Sequence, residues 1–377
     1  MKKLYSCSPD FFKPFVIMVL LFPVFTLNAQ ERKKIDSILN AVNLVAYENP
    51  DKAIKTVTDL QAHNNLNTHQ QILSLLTIGG AYSVKNHNQK AIDYALQAYS
   101  LANAQNEDNE RVRTLVFVGN QYYILKMHDK VNHYLDIAEQ IIGSKIDKDS
   151  IHFIKGNVYF IKAVNYKDKL DCEVAINYFD KSISEYTKAI NKNSNSINLT
   201  IALIQKGLCL TDLYQLDKAR DVLNTAHDLS LKNGYKENRF YADIALAKTH
   251  YSENNFKESN AILFNIEKEV EEYHSLTLQN EFYSALADNF LKLKDYDKYG
   301  IYSTIFLKQK REIDSLEVNS FRHLINEIST DMKDARENET RNENIYFIIA
   351  IVTFLSLAAF LVFKLLRVTK SLRNSKI

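Results

Sequence analysis

The segment ILSLLTIGGAYSVKNHNQKAIDYALQAYSLA, residues Ile72 to Ala102, holds the spacing that decides the fold. Gly79 is followed three, twelve and nineteen residues later by Tyr82, Ala91 and Ala98. A polar turn, Asn86 to Gln89, separates the two halves. Two helices pack closely only where one side of their contact is small. The spacing therefore predicts two antiparallel helices in contact.

The same frame recurs along the chain at intervals of 38, 40, 44, 44, 40 and 40 residues. We call the small residue of each frame its anchor. The anchors are Ala41, Gly79, Gly119, Ala163, Gly207, Ala247 and Ala287. All 4 prolines lie at or before Pro50, and proline breaks helix interiors and central strands alike. The sequence predicts an all-α fold of about seven helix pairs.

These residues resemble the tetratricopeptide repeat (TPR) over roughly Ile35 to Leu307, which implies a helical-repeat solenoid over residues 30–307. The chain departs from the family in having no Trp, and its period exceeds the usual length of about 34 residues. We expect longer second helices or longer connections. GNVYFI (Gly156 to Ile161) copies GNQYYI (Gly119 to Ile124) but lies seven residues ahead of its anchor, which predicts an elongated first helix in that pair.

The N-terminus is typical of an export signal. Lys2, Lys3 and Lys13 flank the apolar run Pro14 to Leu27, and Ala29 precedes Gln30. We expect residues 1–29 to be a cleaved signal peptide, with an uncleaved anchor as the alternative.

The C-terminal part predicts a membrane anchor. Residues 308–344 carry an apolar stripe at helical spacing and are interpreted as a helical stalk; the stripe comprises Ile313, Leu316, Phe321, Leu324, Ile325, Ile328 and Met332. Ile345 to Phe363 is uncharged and long enough to cross a bilayer, so residues 345–366 are a predicted transmembrane helix. Residues 367–377 form a short basic tail. The basic excess after the span predicts a cytoplasmic C-terminus and periplasmic repeats on a single-pass protein of the bacterial inner membrane.

The cysteines leave two interpretations open. Cys7 lies within the signal peptide, and export permits a disulfide between Cys172 and Cys209. Both fall in helical segments, where a free cysteine usually acts as a small buried hydrophobe. The sequence favours two separate core residues.

Catalytic signatures are missing from the sequence. It holds no glycine-rich phosphate loop, HExxH, paired CxxC or GxSxG. His128 and His133 are five residues apart, which does not place two metal ligands on one helix face. We expect no enzyme activity, no cofactor, no metal and no direct nucleic-acid binding.

The remaining expectation is binding in a concave groove lined by the first helices. The residue after each anchor and those three or four beyond it should face that groove. The candidates are Asn120, Tyr123, Asn157, Phe160, Lys248 and Tyr251. An asparagine beside an aromatic ring could hold an extended peptide, with the amide bonding its backbone. The alternative is that these rings are core residues.

The whole architecture resembles bacterial membrane-anchored TPR regulators, in which the tail continues into an AraC-type helix-turn-helix or a histidine kinase. This chain lacks such an output domain. The resemblance implies the sensory part of a regulatory system that binds a peptide or protein. A lone span in a monomer transmits little, so a signalling role would need a homodimer through stalk and span. The alternative is an envelope scaffold or assembly adaptor without a signalling role.

Overall fold

The computed structural model describes residues 32–43, 45–46, 49–145, 151–190, 196–316, 318–319, 322, 325–326, 329, 346–349 and 351–354. The chain divides into two compact units, Met1–Ser320 and Phe321–Ile377. Within the described residues of the first unit, all regular structure is helical. The described residues of the second unit are helical as well.

The helices of the first unit alternate as first and second members of seven pairs, as the repeat frame predicts. Odd numbers mark first helices and even numbers mark second helices. They are α1 (32–43), α2 (Pro50–His63), α3 (Thr68–Val84), α4 (Asn88–Ala104), α5 (Asp108–Ile124), α6 (His128–Lys145), α7 (His152–Asp168), α8 (Cys172–Ile190), α9 (Ile197–Asp212), α10 (Leu216–Asn233), α11 (Lys236–Ser252), α12 (Phe256–Glu272), α13 (Leu276–Lys292) and α14 (296–316).

Tight turns join most of these helices through one residue in the left-handed conformation. In the turn after α3, Asn86 has a φ of 59°, and the next residue, His87, donates its backbone N–H to the carbonyl of Tyr82 at 2.9 Å. This bond closes the helix end and reverses the chain. The other described residues of positive φ are Asn106, Lys126, Leu170, Tyr214, Gly234, Asn254 and Lys294. Except for Gly234, each lies two residues after the end of its helix, where the chain reverses into an antiparallel helix.

The anchors are the close contacts within each pair. The anchors from Gly79 to Ala287 are buried. A methyl group added to Gly119 or Gly207 would overlap the side chain of Leu135 or Leu223 on the second helix. Ala41 is the exception because it is exposed. The buried small residues here are instead Ala46 and Ala53, on either side of the turn between α1 and α2, and Ala81 of α3.

Stacked aromatic rings add a second contact to four pairs. Each joins the residue three after the anchor to a residue twelve later on the second helix. Ring centroids lie 5.4–5.6 Å apart, which is favourable stacking geometry. The stacked rings are Tyr82 with Tyr94, Tyr122 with Tyr134, Tyr166 with Tyr178 and Phe290 with Tyr302.

The long period comes from both helices of the pair. First helices α3, α5, α11 and α13 have 17 residues each, and second helices α4 to α12 have 17 to 19. The predicted elongated first helix is wrong, because α7 also has 17 residues. The copied hexapeptide simply begins earlier in α7 than in α5. The extra residues lie between α6 and α7 and between α8 and α9.

Cys172 and Cys209 are joined in a disulfide, so the interpretation as two separate core residues is wrong. Cys172 begins α8 and Cys209 lies in α9, with Cα atoms 5.2 Å apart. Both belong to the same buried cluster as Phe179. Periodicity along one helix cannot show that two residues of neighbouring pairs meet.

The predicted N- and C-terminal segments fall largely outside the described residues. This holds for the signal peptide (1–29), most of the stalk (308–344) and the tail (367–377). Helix α14 passes residue 307, the predicted end of the solenoid, without a break. Of the predicted span (345–366), residues 346–349 and 351–354 are described and helical. Among the described residues, no helix has both the length and the apolar character needed to cross a bilayer.

Candidate functional site

The first helices α3, α5, α7, α9, α11 and α13 contact one another in succession. Two cavities open along the face that they share. Cavity A, of about 470 Å³, lies over α3, α5, α7 and α9. Cavity B, of about 460 Å³, lies over α7, α9, α11 and α13. Ile201 lines both cavities, so they are parts of one groove.

The repeat frame sets which side chains face the groove. Lining residues recur six, three and two residues before the anchor and one residue after it, spacings that share one face of a helix. In α5 these positions hold Arg113, Val116, Phe117 and Asn120. In α9 they hold Ile201, Ile204, Gln205 and Leu208.

Cavity A combines an apolar floor with side-chain amides. Leu73, Leu76, Val116, Phe117, Phe160, Ile161 and Ile201 supply the apolar surface. Asn43, Asn120, Asn157 and Asn198 supply the amides, each of which can both donate and accept hydrogen bonds. This mixture suits a ligand that carries apolar side chains and amide groups together.

Asn157 is held by two neighbours in cavity A. Its Oδ1 atom accepts a hydrogen bond from the Tyr186 hydroxyl at 2.7 Å and another from Asn198 Nδ2 at 3.3 Å. Burial raises the pKa of Tyr186, which keeps the hydroxyl a neutral donor. Because both bonds end on Oδ1, the orientation of the Asn157 amide is set before any ligand binds.

Gly156 makes this arrangement sterically feasible. Tyr186 is 2% exposed, and its ring lies directly over the Gly156 backbone, where any Cβ atom would overlap it. Ser182 lies one turn earlier on the same helix and donates its hydroxyl to the Gly156 carbonyl at 2.9 Å. The glycine therefore allows α8 to bring Tyr186 against α7.

A charged cluster lies beside cavity A. Arg113 lines the cavity, and its Nε atom is 3.8 Å from Glu110 Oε2. His69 Nδ1 is 3.0 Å from Glu110 Oε1. Burial opposes ionisation of Glu110, but the bond from His69 and the charge of Arg113 outweigh it and lower the pKa of this carboxyl. The bond to Glu110 raises the pKa of His69.

Cavity B is more polar. Lys167, Gln205, Asn238 and Lys248 line it together with two carboxylates, Glu237 and Glu281. Burial, with those carboxylates nearby, raises the pKa of Tyr241 in its wall to about 12. Burial lowers the pKa of Lys167.

The structure brings four of the six predicted site residues to the groove. Asn120, Asn157 and Phe160 line cavity A, and Lys248 lines cavity B. Tyr123 and Tyr251 line neither cavity. Tyr123 packs beside the buried cluster of Val131, Leu135 and Ile161, and the Tyr251 ring meets Phe256 edge to face at 5.3 Å. For Tyr123, packing against the core matches the alternative interpretation, whereas Tyr251 and Phe256 are half-buried.

Several groove residues escaped the sequence analysis, although the repeat frame contained signals for them. Asn198 and Asn238 are forty residues apart, and each stands nine residues before its anchor. Lys167 stands four residues after Ala163, a position that the rule covered. The hexapeptide copy that begins at Gly156 puts the positions of the rule seven residues earlier in that pair, so Lys167 falls outside them. Tyr186 lies on a second helix, which the rule did not consider.

Within the described parts of the chain, no group of three or more His, Cys, Asp or Glu side chains could hold a metal ion. His128, considered above as a ligand candidate, has its Nδ1 atom 2.7 Å from Asn165 Oδ1. The described groove lining offers hydrogen-bonding, apolar and charged side chains.

Solved structures place this arrangement among known folds. The apo form of RapI matches with a TM-score of 0.52 at 15% identity, covering 74% of this chain and 88% of that one. The Rap conjugation gene regulator of plasmid pLS20, in complex with the Phr* peptide, matches with a TM-score of 0.52 at 14% identity, covering 70% of each chain. A STAND protein with a tetratricopeptide repeat sensor from Pyrococcus horikoshii matches with a TM-score of 0.50 at 14% identity, covering 72% of this chain and 39% of that one.

The fold is a TPR-like solenoid. At these identities the likeness concerns the fold alone. No family model matches the chain, and no curated protein matches it. The resemblance to membrane-anchored regulators with AraC-type or histidine-kinase output remains an expectation from the sequence.

Proposed function

We propose that the groove formed by cavities A and B binds an extended peptide, or an extended segment of a protein partner, as the sensory part of a regulatory system. The observation that carries this proposal is the continuity of the two cavities at Ile201 along a row of side-chain amides. An extended backbone exposes an N–H and a C=O at every residue, and amides such as Asn157 and Asn198 can pair with both.

The shape of the groove supports an extended ligand over a compact one. Its lining comes from a succession of first helices, so it runs across the helix axes. Neighbouring packed helices lie about 8–10 Å apart, and an extended peptide covers about 3.3 Å per residue. Each helix therefore meets about three residues of ligand. The pLS20 regulator, which shares this fold, was solved with a peptide bound.

The proposal includes the membrane topology expected from the sequence. An export signal, the uncharged segment 345–363 and a basic tail support a single-pass protein of the inner membrane with its solenoid in the periplasm. The Cys172–Cys209 disulfide supports the same location, because disulfides persist in oxidising compartments. In this proposal the chain binds and reports, and it catalyses no reaction.

The binding proposal is tested with the purified full-length chain and a synthetic library of random octapeptides, using affinity selection and mass spectrometry. We expect enrichment of a restricted set of peptides. Asn157→Ala should weaken their binding about 10-fold or more, because it removes a preset hydrogen-bonding group from cavity A. Asn224→Ala makes the same change on the exposed face of α10 and should leave binding unchanged.

Two results would count against the proposal. One is the absence of any enriched peptide. The other is enrichment that Asn157→Ala leaves intact, which would put binding elsewhere on the solenoid.

The topology is tested separately with reporter fusions at Ile377 and near Asn344. We expect cytoplasmic activity from the first fusion and periplasmic activity from the second. A C-terminus outside the cytoplasm would overturn the proposed orientation without bearing on the groove.

A further inference from the structure

The Cys172–Cys209 disulfide crosses the boundary between the fourth and fifth helix pairs. Cys172 is the first residue of α8, and Cys209 lies near the end of α9. At the opposite ends of these two helices, the chain runs directly from Ile190 of α8 to Ile197 of α9. The disulfide therefore fastens the edge of this boundary that the main chain leaves open.

The two sulfur atoms differ in access. Cys209 is 0% exposed and packs in a buried cluster with Phe179. Cys172 is 8% exposed and lines a third cavity, cavity C, of about 700 Å³, where the ends of α7 and α9 meet the start of α8. Leu170, two residues before Cys172, is 93% exposed, so the described residues leave this turn uncovered. A reagent in cavity C therefore reaches Cys172 and not Cys209.

Cavity C carries charges around the accessible sulfur. Its wall includes two lysines, Lys126 and Lys167, and two carboxylates, Asp168 and Asp212. The Oδ2 atom of Asp212 lies 3.9 Å from the Sγ atom of Cys172. A thiolate that attacks this sulfur must approach the Asp212 carboxylate, which repels it. Asp212 is therefore the charged group whose removal should speed the attack.

We propose that Cys172 is a site of thiol–disulfide exchange, at which a small thiol entering cavity C forms a mixed disulfide and opens the link between the fourth and fifth pairs. The attacking thiolate forms a bond to Cys172 Sγ while the bond between Cys172 and Cys209 breaks. Cys209 Sγ leaves with the electron pair of that bond and takes up the proton that the thiol gave to solvent. The incoming thiol is oxidised and Cys209 is reduced, so the step needs no further oxidant or reductant.

The burial of Cys209 favours a lasting adduct. The nucleophile in disulfide exchange is the thiolate. A thiol buried among apolar side chains such as Phe179 stays protonated, so the released Cys209 attacks the mixed disulfide slowly. Cys172 therefore keeps the added thiol until a second thiol removes it.

The test incubates the purified full-length chain with reduced glutathione, an anionic thiol, in the absence of denaturant. Early in the reaction the sample is quenched in acid, its thiols are alkylated in denaturant, and the chain is mapped by peptide mass spectrometry. We expect glutathione on Cys172 and the alkyl group on Cys209. Glutathione on Cys209, or a disulfide that stays intact, would overturn the proposed site.

One variant connects the reaction to cavity C. Asp212→Asn removes the charge beside Cys172 from an exposed position at the end of α9. It should speed the reaction with glutathione about 3- to 10-fold, which corresponds to the repulsion of two charges about 4 Å apart in water. Asp228→Asn makes the same change on the exposed face of α10 and should leave the rate unchanged. Equal rates in wild type and Asp212→Asn would overturn attack through cavity C.

A urea series separates attack on the folded chain from attack on an unfolded one. Below the unfolding transition, urea should change the rate of the glutathione reaction by less than about 2-fold, because cavity C is open in the folded chain. A rate that rises with urea as steeply as the unfolded population would overturn the proposal.

The effect on the boundary is measured by hydrogen exchange of the backbone amides in the glutathione adduct. Amides at the start of α8 and the end of α9 should exchange about 10-fold faster or more than in the disulfide form, because the covalent link no longer opposes local opening. Amides in the middle of α11 should keep their rates. Unchanged exchange at α8 and α9 would overturn the role of the bond in holding this boundary. The readout needs no peptide, so its outcome is independent of the proposed groove binding.

Discussion

The disulfide between Cys172 and Cys209 should contribute strongly to the stability of the solenoid. The two cysteines are separated by 37 residues, and the entropy of closing a loop of that length corresponds to about 4 kcal/mol at 25 °C. Both side chains lie in the core, so they should remain packed as free thiols. Comparing the oxidised and reduced forms of one chain therefore isolates the effect of the covalent bond.

The measurement is urea unfolding of the purified full-length chain, followed by far-UV circular dichroism with and without a thiol reductant. We expect reduction to lower the free energy of unfolding by about 2–4 kcal/mol. The lower part of this range allows for repeats that keep their own structure when a neighbour opens, since a solenoid is held together by contacts between adjacent repeats.

Two controls make this prediction refutable. Cys172→Ala should unfold at the same urea concentration with or without reductant. Alkylation of the unreduced wild-type chain, followed by peptide mass mapping, should recover the Cys172 and Cys209 peptides linked together. Two fully alkylated thiols, or an unfolding midpoint that reductant does not move, would refute the reasoning.

Three further predictions concern packing and charge. Gly156→Ala should lower the free energy of unfolding by about 1–3 kcal/mol, because its methyl group overlaps the Tyr186 ring. Urea unfolding measures this loss, and an unchanged midpoint would mean that α8 shifts to accommodate the methyl group. Lys162→Met should cost about 1–3 kcal/mol on the same assay. Burial opposes the charge of this 2% exposed lysine, but hydrogen bonds to two carboxylates outweigh burial and raise the pKa of Lys162. An unfolding midpoint that Lys162→Met leaves unchanged would refute this account. His69→Gln should destabilise the chain by less than about 1 kcal/mol, mainly between pH 4.5 and 6.5.

The pH window of the His69 variant follows from the signs of the two shifts. The pKa of His69 is raised by its bond to Glu110, so its contribution is complete below 6.5 and is lost as the pH rises through the raised value. The pKa of Glu110 is lowered, so its contribution is complete above 4.5 and is lost as the pH falls. The stability curves of variant and wild type should therefore converge at alkaline pH. Curves that stay parallel would contradict the pair.

The fold was predictable because each helix pair repeats one steric requirement. A small anchor such as Gly119 or Gly207 must face a large residue of the second helix, and that need leaves a fixed interval in the sequence. Tyr134, the stacked partner of Tyr122, lies twelve residues after it, which is the interval found in the other stacked pairs. Where the first pair is packed differently, as at Ala41, the interval gave a wrong anchor.

Contacts between pairs were less predictable. The Cys172–Cys209 disulfide joins α8 to α9, which belong to different pairs. Such a contact depends on how far each pair rotates relative to the next, and no periodicity along a single helix contains that rotation. The bond from Tyr186 to Asn157 lies within one pair, but it depends on the space left by Gly156, which the repeat interval does not show.

The groove residues show where the sequence rule succeeded and why. Asn120 and Lys248 follow their anchors directly, and the structure puts that position in the groove. Asn157 and Phe160 were selected from the wrong reference, Gly156, which lies seven residues before the anchor of its pair. Seven residues are nearly two helical turns, so the error left the selected face of the helix unchanged. It changed only the height along the helix.

The rule that selects residues by their distance from the anchor specifies a face of the helix but not the position along the helix axis. That position decides whether a residue contacts the groove. Tyr123, four residues after its anchor, points along nearly the same direction of its helix as Val116, three residues before it, because the two are again seven residues apart. Val116 lines cavity A, whereas Tyr123 lies near the end of α5 and packs beside a buried cluster. In α7 the position four residues after the anchor holds Lys167, which lines cavity B. One repeat position thus lies at the core in one pair and in the groove in another, since the groove crosses successive helices at different heights. Which residues of such a solenoid face the groove depends on that crossing, which is why Lys167 lines cavity B while its counterpart Tyr123 packs beside a buried cluster.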